Sequence, residues 1–151
     1  VSLDIRRLDV TEPDSATQVV TDLTERYGRL DALINNAGSG RVGTIENETV
    51  DDVRAVMEAN FFGVVAVTRA ALPHLRKTRG RLISVSSVGG VVGQPFNEAY
   101  CAAKFAVEGF HGEPRPRGCH GRGLRDGRRA RCRGVVVHRQ RGWRPRLVRP
   151  G

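Results

Sequence analysis

The sequence predicts an α/β fold, a parallel sheet with helices packed on it, and three observations carry that prediction. Short apolar runs alternate with stretches of helical periodicity in the order strand, helix, strand, helix, strand, helix. The apolar runs end in polar or turn-forming residues: "LDVT", "NNAG" and "SS". The chain has 151 residues and no internal repeat, enough for one domain with one sizeable core.

Each element has its own justification. "VSLDIRRLDV" begins with alternating apolar residues and reads as a strand through Val10. In "DSATQVVTDLTERYG", Asp14 or Ser15 can cap a helix, Val19, Val20 and Leu23 lie near one face, and Gly28 can stop it. "LDALINNAG" is a short apolar strand that runs into a turn. A long helical region spans about Val50 to Leu75, with Pro73 near its end as a kink or stop. "GRLISVSS" is the third strand, "VGGVVGQPFN" a glycine-rich loop and "EAYCAAKFAVEGF" the third helix. In parallel sheets, ligands bind outside the carboxyl ends of the strands. Those ends carry Asp9, the "NNAG" turn and the "SS" turn, so the polar residues fall along one rim.

The overall charge of +9 conceals two different segments. Residues 1–112 hold 12 Lys+Arg against 14 Asp+Glu, whereas residues 113–151 hold 13 Arg, no Lys and 2 acids. The three cysteines, Cys101, Cys119 and Cys132, have neither paired nor metal-ligand spacing, so no metal site is expected. An odd count without a secretory segment points to a reducing, cytoplasmic setting. No apolar run in the sequence approaches the roughly 18–20 residues of a membrane span, and no membrane role is expected.

Tyr100 and Lys104 stand four positions apart on the third helix and share a face. A phenol with an ordinary pKa of about 10 is a poor base at neutral pH. A nearby ammonium favours the phenolate, and a phenol so tuned can exchange a proton with an alcohol or carbonyl. Ser87, at the end of the third strand, is placed to hold the substrate oxygen. By itself the Tyr/Lys pair is a common chance arrangement on helix surfaces.

The combination is more specific. "LDVT", "INNAG", "EANFFG", "SVSSVGG" and "YCAAK", in this order and spacing, resemble the classical short-chain dehydrogenase/reductase family, from about Ser2 to Phe110. The stretch "GGVVGQPFNEAYCAAKFAVEGF" looks closest to its 17β-hydroxysteroid and retinol dehydrogenase branch. The resemblance implies a Rossmann-like, doubly wound parallel sheet and an NAD- or NADP-dependent oxidoreductase acting on CH–OH or carbonyl groups. It gives Tyr100 the role of catalytic acid/base. Lys104 becomes the lysine that tunes it and binds the nicotinamide ribose. Ser87 orients the substrate oxygen, with Ser86 as runner-up, and Asn60 supports a proton-relay water. Asp9 matches the acid that contacts adenine. Asn35, Ala37 and Gly38 match the turn that lines the cofactor cleft and steadies the strands. For Asn36, a cofactor contact and a structural turn role stay equally open. Substrates would be small alcohols or carbonyls, steroid- or retinoid-like. The helices at Asn60–Leu75 and Tyr100–Phe110 would pair subunits into a homo-oligomer.

"GSGRVG", from Gly38 to Gly43, spells G-x-G-x-x-G directly after a strand. A dinucleotide fingerprint needs a helix beginning at its last glycine. Here "TIENET" follows, so a plain loop is the better reading. The family's own glycine turn, "TGxxxGxG", with its strand and helix, should precede Val1 and is absent. The fold is therefore expected to be partial, with an exposed sheet edge.

Residues 113–151 also depart from the pattern. An arginine-rich nucleic-acid tail would neutralise phosphates, but no nucleic-acid fold motif is present and nucleic acid is not the expected partner. So polar a composition is expected to be irregular or disordered. A frameshift explains more. "RDGRRARCRG" at Arg125–Gly134 can be encoded so that a one-base shift reads Val-Thr-Val-Val-Glu-Pro-Gly-Ala-Val, which fits the family's next strand and "PG" turn. The expectation is a partial dehydrogenase domain over 1–112 and an out-of-frame tail over 113–151, impaired or inactive as a chain. The alternatives are a non-catalytic oligomerising fragment and a nucleic-acid binder.

Overall fold

The computed structural model describes residues 3–12 and 14–112. The tail beginning at residue 113, including the expected out-of-frame segment, lies outside the described residues. Within them the order is α1 (Ser15–Tyr27), β1 (Ala32–Asn35), α2 (Val50–Met57), a π-helical turn (Glu58–Phe62), α3 (Gly63–Thr78), β2 (Arg81–Ser84), a 3₁₀ turn (Val88–Gly90) and α4 (Glu98–Gly112). The two strands pair in parallel, Leu33 beside Leu82 and Ile34 beside Ile83. The α/β class and parallel pairing match the sequence expectation.

The expected first strand is not formed. β1 and β2 pair with each other, and no described strand lies beside residues 3–9 to share a ladder with them. Leu3 and Ile5 are 70% and 82% exposed, while Leu8 alone of this segment's apolar residues enters the core. Ionic and polar bonds anchor the segment instead: Asp4 accepts from Arg6 Nε at 2.9 Å and from the Tyr27 hydroxyl at 2.9 Å.

α1 buries Ala16, Val20 and Leu23 and ends at Gly28, whose φ of 70° places it in the left-handed region that glycine adopts without strain. The expected side-chain cap is absent. Asp14 makes no capping bond, and the Ser15 hydroxyl accepts from the Asp9 amide at 3.0 Å. β1 then enters the main core, where Leu33 meets Leu8, Ala16, Val20, Leu30, Val67, Ala71 and Leu75.

The long helical region runs unbroken from Val50 to Thr78. Its start is a capping box. Thr49 Oγ1 accepts from the Asp52 amide at 3.2 Å, and the Asp52 carboxylate accepts from the Thr49 amide at 3.0 Å. Pro73 neither stops nor ends it. The ring sits on an exposed stretch, where water can satisfy the carbonyl that lost its partner, and the helix continues to Thr78. By length and composition this helix could cross a membrane, with an 18-residue window of mean hydropathy 1.4. That corrects the expectation that no apolar stretch approaches this limit. Its buried residues Val64, Val67, Ala71 and Leu75 line the α/β layer, as in a core helix.

Candidate active site

The carboxyl ends of β1 and β2 lie side by side, and the Val85 amide donates to the Asn35 carbonyl at 2.8 Å. Asn35 is buried, and its Nδ2 donates to Thr68 Oγ1 at 3.0 Å and to Ser84 Oγ at 3.2 Å. One amide thus ties together β1, β2 and α3. Asn36 and Ala37 follow at the mouth of a shallow groove that Val10, Ile34, Gly63 and Val64 also line. Asp9 lies next to this groove through Val10, and its Oδ1 accepts from the Thr11 amide at 3.2 Å and the Thr11 hydroxyl at 2.8 Å.

Three of the expected residues converge. Asn60 is 0% exposed and Lys104 6% exposed. Gly38 lies against both: a Cβ there would stand 2.6 Å from Asn60 Oδ1 and 3.7 Å from Lys104 Nζ. Asn60 owes its position to the π-helical turn, from which Nδ2 donates to the Ser39 carbonyl at 2.7 Å and the Val56 carbonyl at 2.9 Å. Its Oδ1 is buried without a hydrogen-bond partner. Buried polar atoms are ordinarily paired, so this oxygen marks a place for a donor.

Lys104 Nζ donates to the Val85 carbonyl at 3.1 Å and lies 5.6 Å from the centre of the Tyr100 ring. Tyr100 packs beside Gly89, where a Cβ would come within 3.5 Å of the ring. Ser87 precedes this 3₁₀ turn, and its Oγ accepts from the Gly89 amide at 3.2 Å, which leaves the hydroxyl proton available to another acceptor. Ser86 Oγ is buried and unpartnered near Gly90. Of the two serines, Ser87 therefore lies on the same turn as the tyrosine's contact.

The site also uses features that sequence reasoning missed. The π-helical turn leaves no local sequence signal. The capping box at Thr49 could have been found from its T-x-x-D spacing. His111 Nε2 lies 2.7 Å from Ser84 Oγ and fastens the end of α4 to β2. No cluster of metal-ligating side chains occurs among the described residues.

A nicotinamide cofactor fits one half of the described site. Gly38 packs directly against the unpartnered Asn60 Oδ1, where a Cβ would not fit, and Lys104 supplies a cation beside them. A pyrophosphate half is not found among the described residues. "GSGRVG" forms irregular chain, and the next helix starts at Val50 rather than at Gly43.

Tyrosine, lysine, serine and asparagine thus lie near the strand ends of a parallel α/β layer. Comparison with known proteins makes this specific: residues 1–114 match the family model described as short chain dehydrogenase, and the chain belongs to that family. It is 48% identical over 104 residues to 3-ketodihydrosphingosine reductase of Bacteroides thetaiotaomicron, covering 68% of this chain and 39% of that protein. It is 42% identical over 110 residues to estradiol 17-beta-dehydrogenase 1 of Rattus norvegicus, covering 72% of this chain and 31% of that protein. Among solved structures, the alcohol dehydrogenase of the archaeon Thermococcus sibiricus, complexed with 5-hydroxy-NADP, superposes with a TM-score of 0.67 at 26% identity, over 70% of this chain and 45% of that one. The chain thus spans about a third to two fifths of the length of these curated relatives.

Proposed function

We propose that residues 1–112 form the acid–base segment of an NAD- or NADP-dependent oxidoreductase that interconverts an alcohol and its carbonyl compound. The observation that carries this reading is the convergence of buried Lys104 and Asn60 on Gly38, next to Tyr100. When bound, the nicotinamide supplies or accepts the hydride at the substrate carbon. Tyr100 exchanges the proton at the substrate oxygen, and Ser87 donates a hydrogen bond to that same oxygen. Lys104 binds the nicotinamide ribose and holds positive charge beside the phenol. Asn60 Oδ1 accepts from a relay water. Asp9, Asn36, Ala37 and Gly38 line the cofactor side.

An apolar substrate is supported by the exposed Val88, Val91, Val92 and Phe96 on the loop between Ser87 and Tyr100. Two relatives carry the names of lipid-like substrates, a ketodihydrosphingosine and estradiol. Self-association is supported by the half-exposed Phe62 and Phe105 on the two helices expected to pair. Residues 113–151 stand apart as a tail read out of frame. The gene's coding sequence tests that part: stop codons in the shifted frame before the "PG" equivalent would remove it.

The function is tested by grafting residues 9–110 into the matching segment of the Bacteroides reductase. The graft should oxidise NAD(P)H with a carbonyl substrate, and Tyr100→Phe should abolish turnover while leaving the fold intact. A folded graft that turns over equally well with phenylalanine at 100 would sink the reading. The 151-residue polypeptide alone should turn over little or not at all, because pyrophosphate contacts and the alignment they provide are missing from its described residues.

A further inference from the structure

Arg41 lies three residues beyond Gly38, on the loop that leaves the floor of the site. Its guanidinium is shared between two acids: Nη1 is 3.0 Å from Asp52 Oδ1, and Nε is 3.6 Å from Glu48 Oε1. The Glu48 side chain is only 3% exposed, and its Oε2 is buried without a hydrogen-bond partner. A buried carboxylate is costly to hold unless its cation stays in place. The chain between these residues folds around the glutamate. A Cβ at Gly43 would stand 3.1 Å from Glu48 Cγ, so only glycine closes the turn without pushing on it.

The closed turn is also tied to the loop before α4. The Gly43 amide donates to the Phe96 carbonyl at 3.0 Å. Phe96 has a φ of 64°, a left-handed conformation that costs a phenylalanine free energy and persists only when surrounding structure imposes it. From there the path to the chemistry is short. The Asn97 amide donates to the Gln94 carbonyl at 3.3 Å, and the Cys101 amide to the Asn97 carbonyl at 2.8 Å, which starts α4. The Gln94 amide also rests on Cys101 Sγ at 3.4 Å, covering a buried thiol next to Tyr100.

We propose that Arg41 and Glu48 are positioning residues for the acid–base helix: their ion pair stiffens the 41–48 turn, whose Gly43 amide pins the Phe96 carbonyl and so sets the first turn of α4, on which Tyr100 rides. The catalytic meaning of this clasp rests on the function proposed above, but its mechanics do not.

The test uses the 151-residue chain and two local readouts. Hydrogen exchange at the Gly43 amide reports the clasp. Iodoacetamide alkylation of Cys101, separated by peptide mass spectrometry from Cys119 and Cys132, reports whether the 94–97 loop stays down. Glu48→Ala and Arg41→Ala should each speed Gly43 exchange about tenfold, the scale of one lost hydrogen bond, and raise Cys101 alkylation alongside it. The Leu33 and Ile34 amides in the sheet should keep their rates. Arg41→Lys should restore part of the protection, since one ammonium can replace one of the two contacts. Phe96→Gly, which keeps the carbonyl and removes the strained φ, should leave Gly43 protected. Rates at Gly43 and Cys101 unchanged within about twofold, or an equal rise at every amide, would overturn the proposal. Should Glu48→Ala fail to fold, the half-exposed Arg41 still carries the test. An inactive graft together with the expected exchange pattern would remove the function and leave the clasp standing.

Discussion

The molecule has two packed regions built to different rules. The first joins α1, β1 and α3 through Leu8, Val20, Leu30, Leu33, Val67 and Leu75, large branched side chains with alanines between them. The second joins α2 and α4 through Val56, Ala99 and Ala103, with Val53, Met57 and Tyr100 at its margin. Its residues are small, so the helices approach closely, and its buried polar groups, Asn60 and Lys104, are the candidate chemical ones. The first region offers apolar area and supports the fold. The second gives up apolar area to hold a cation and an unpartnered amide oxygen in fixed places, an arrangement usual where a site has to be preorganised.

Truncation separates the two most sharply. Leu33→Ala removes a large side chain from the centre of the first region and should destabilise the fold by about 2–5 kcal/mol, read from chemical denaturation. The second region has no fully buried side chain of that size to lose, and it should instead be sensitive to added volume. Ala103 is 0% exposed, and Ala103→Leu should cost about 1–3 kcal/mol by forcing α2 and α4 apart. If Leu33→Ala proved mild and Ala103→Leu severe, the division of labour would be reversed.

Gly38→Ala probes the boundary between support and chemistry. Its Cβ would meet Asn60 Oδ1 at 2.6 Å, and Asn60 is held by two bonds to backbone carbonyls, so it cannot swing away cheaply. A stability loss of about 1–2 kcal/mol is expected. In the grafted reductase the same change should remove NAD(P)H-dependent turnover far beyond what that loss accounts for. Retained turnover would show that the Gly38 contact takes no part in cofactor binding.

The first region was largely legible from periodicity. Val20 and Leu23 on one face of α1, Gly28 at its end and the two apolar strands are local signals, and local signals survive in the fold. What periodicity could not supply was pairing. "VSLDIRRLDV" alternates like a strand, but a strand exists only beside a partner, and none of the described strands lies beside residues 3–9. The stop reading of Pro73 failed because a proline costs the helix one backbone hydrogen bond, and on an exposed stretch water can satisfy the freed carbonyl. In the second region the motifs named Asn60, Tyr100 and Lys104, yet their convergence on Gly38 depends on a π-helical turn and on α4 crossing α2. Neither is written in the spacing. The Arg41–Glu48–Asp52 cluster was invisible, because a buried carboxylate in a loop looks like any surface acid in sequence.

The weakest effect again falls differently on the two regions. Asp4 fastens the N-terminal segment to α1, and hydrogen bonds from Arg6 and then Tyr27 lower its carboxyl pKa from the ordinary 3.8. Asp52 caps α2, and bonds from the Thr49 backbone and then the Thr49 side chain lower it from the same value. A depressed carboxyl pKa contributes stability that is complete above 3.8 and is lost as pH falls through the folded value. Neither group should therefore alter stability near neutrality, and both should weaken the fold on strong acidification. Both carboxyls are partly exposed and screened by solvent, so each step should be small. NMR titration can separate them, with the Thr49 amide following Asp52 and the Tyr27 ring following Asp4. Asp52→Asn should erase the acid step at Thr49 and leave that at Tyr27, and Asp4→Asn should do the reverse. If either substitution erased both steps, the two regions would titrate as one cooperative unit, and the separation drawn between a supporting core and a chemical one would not hold.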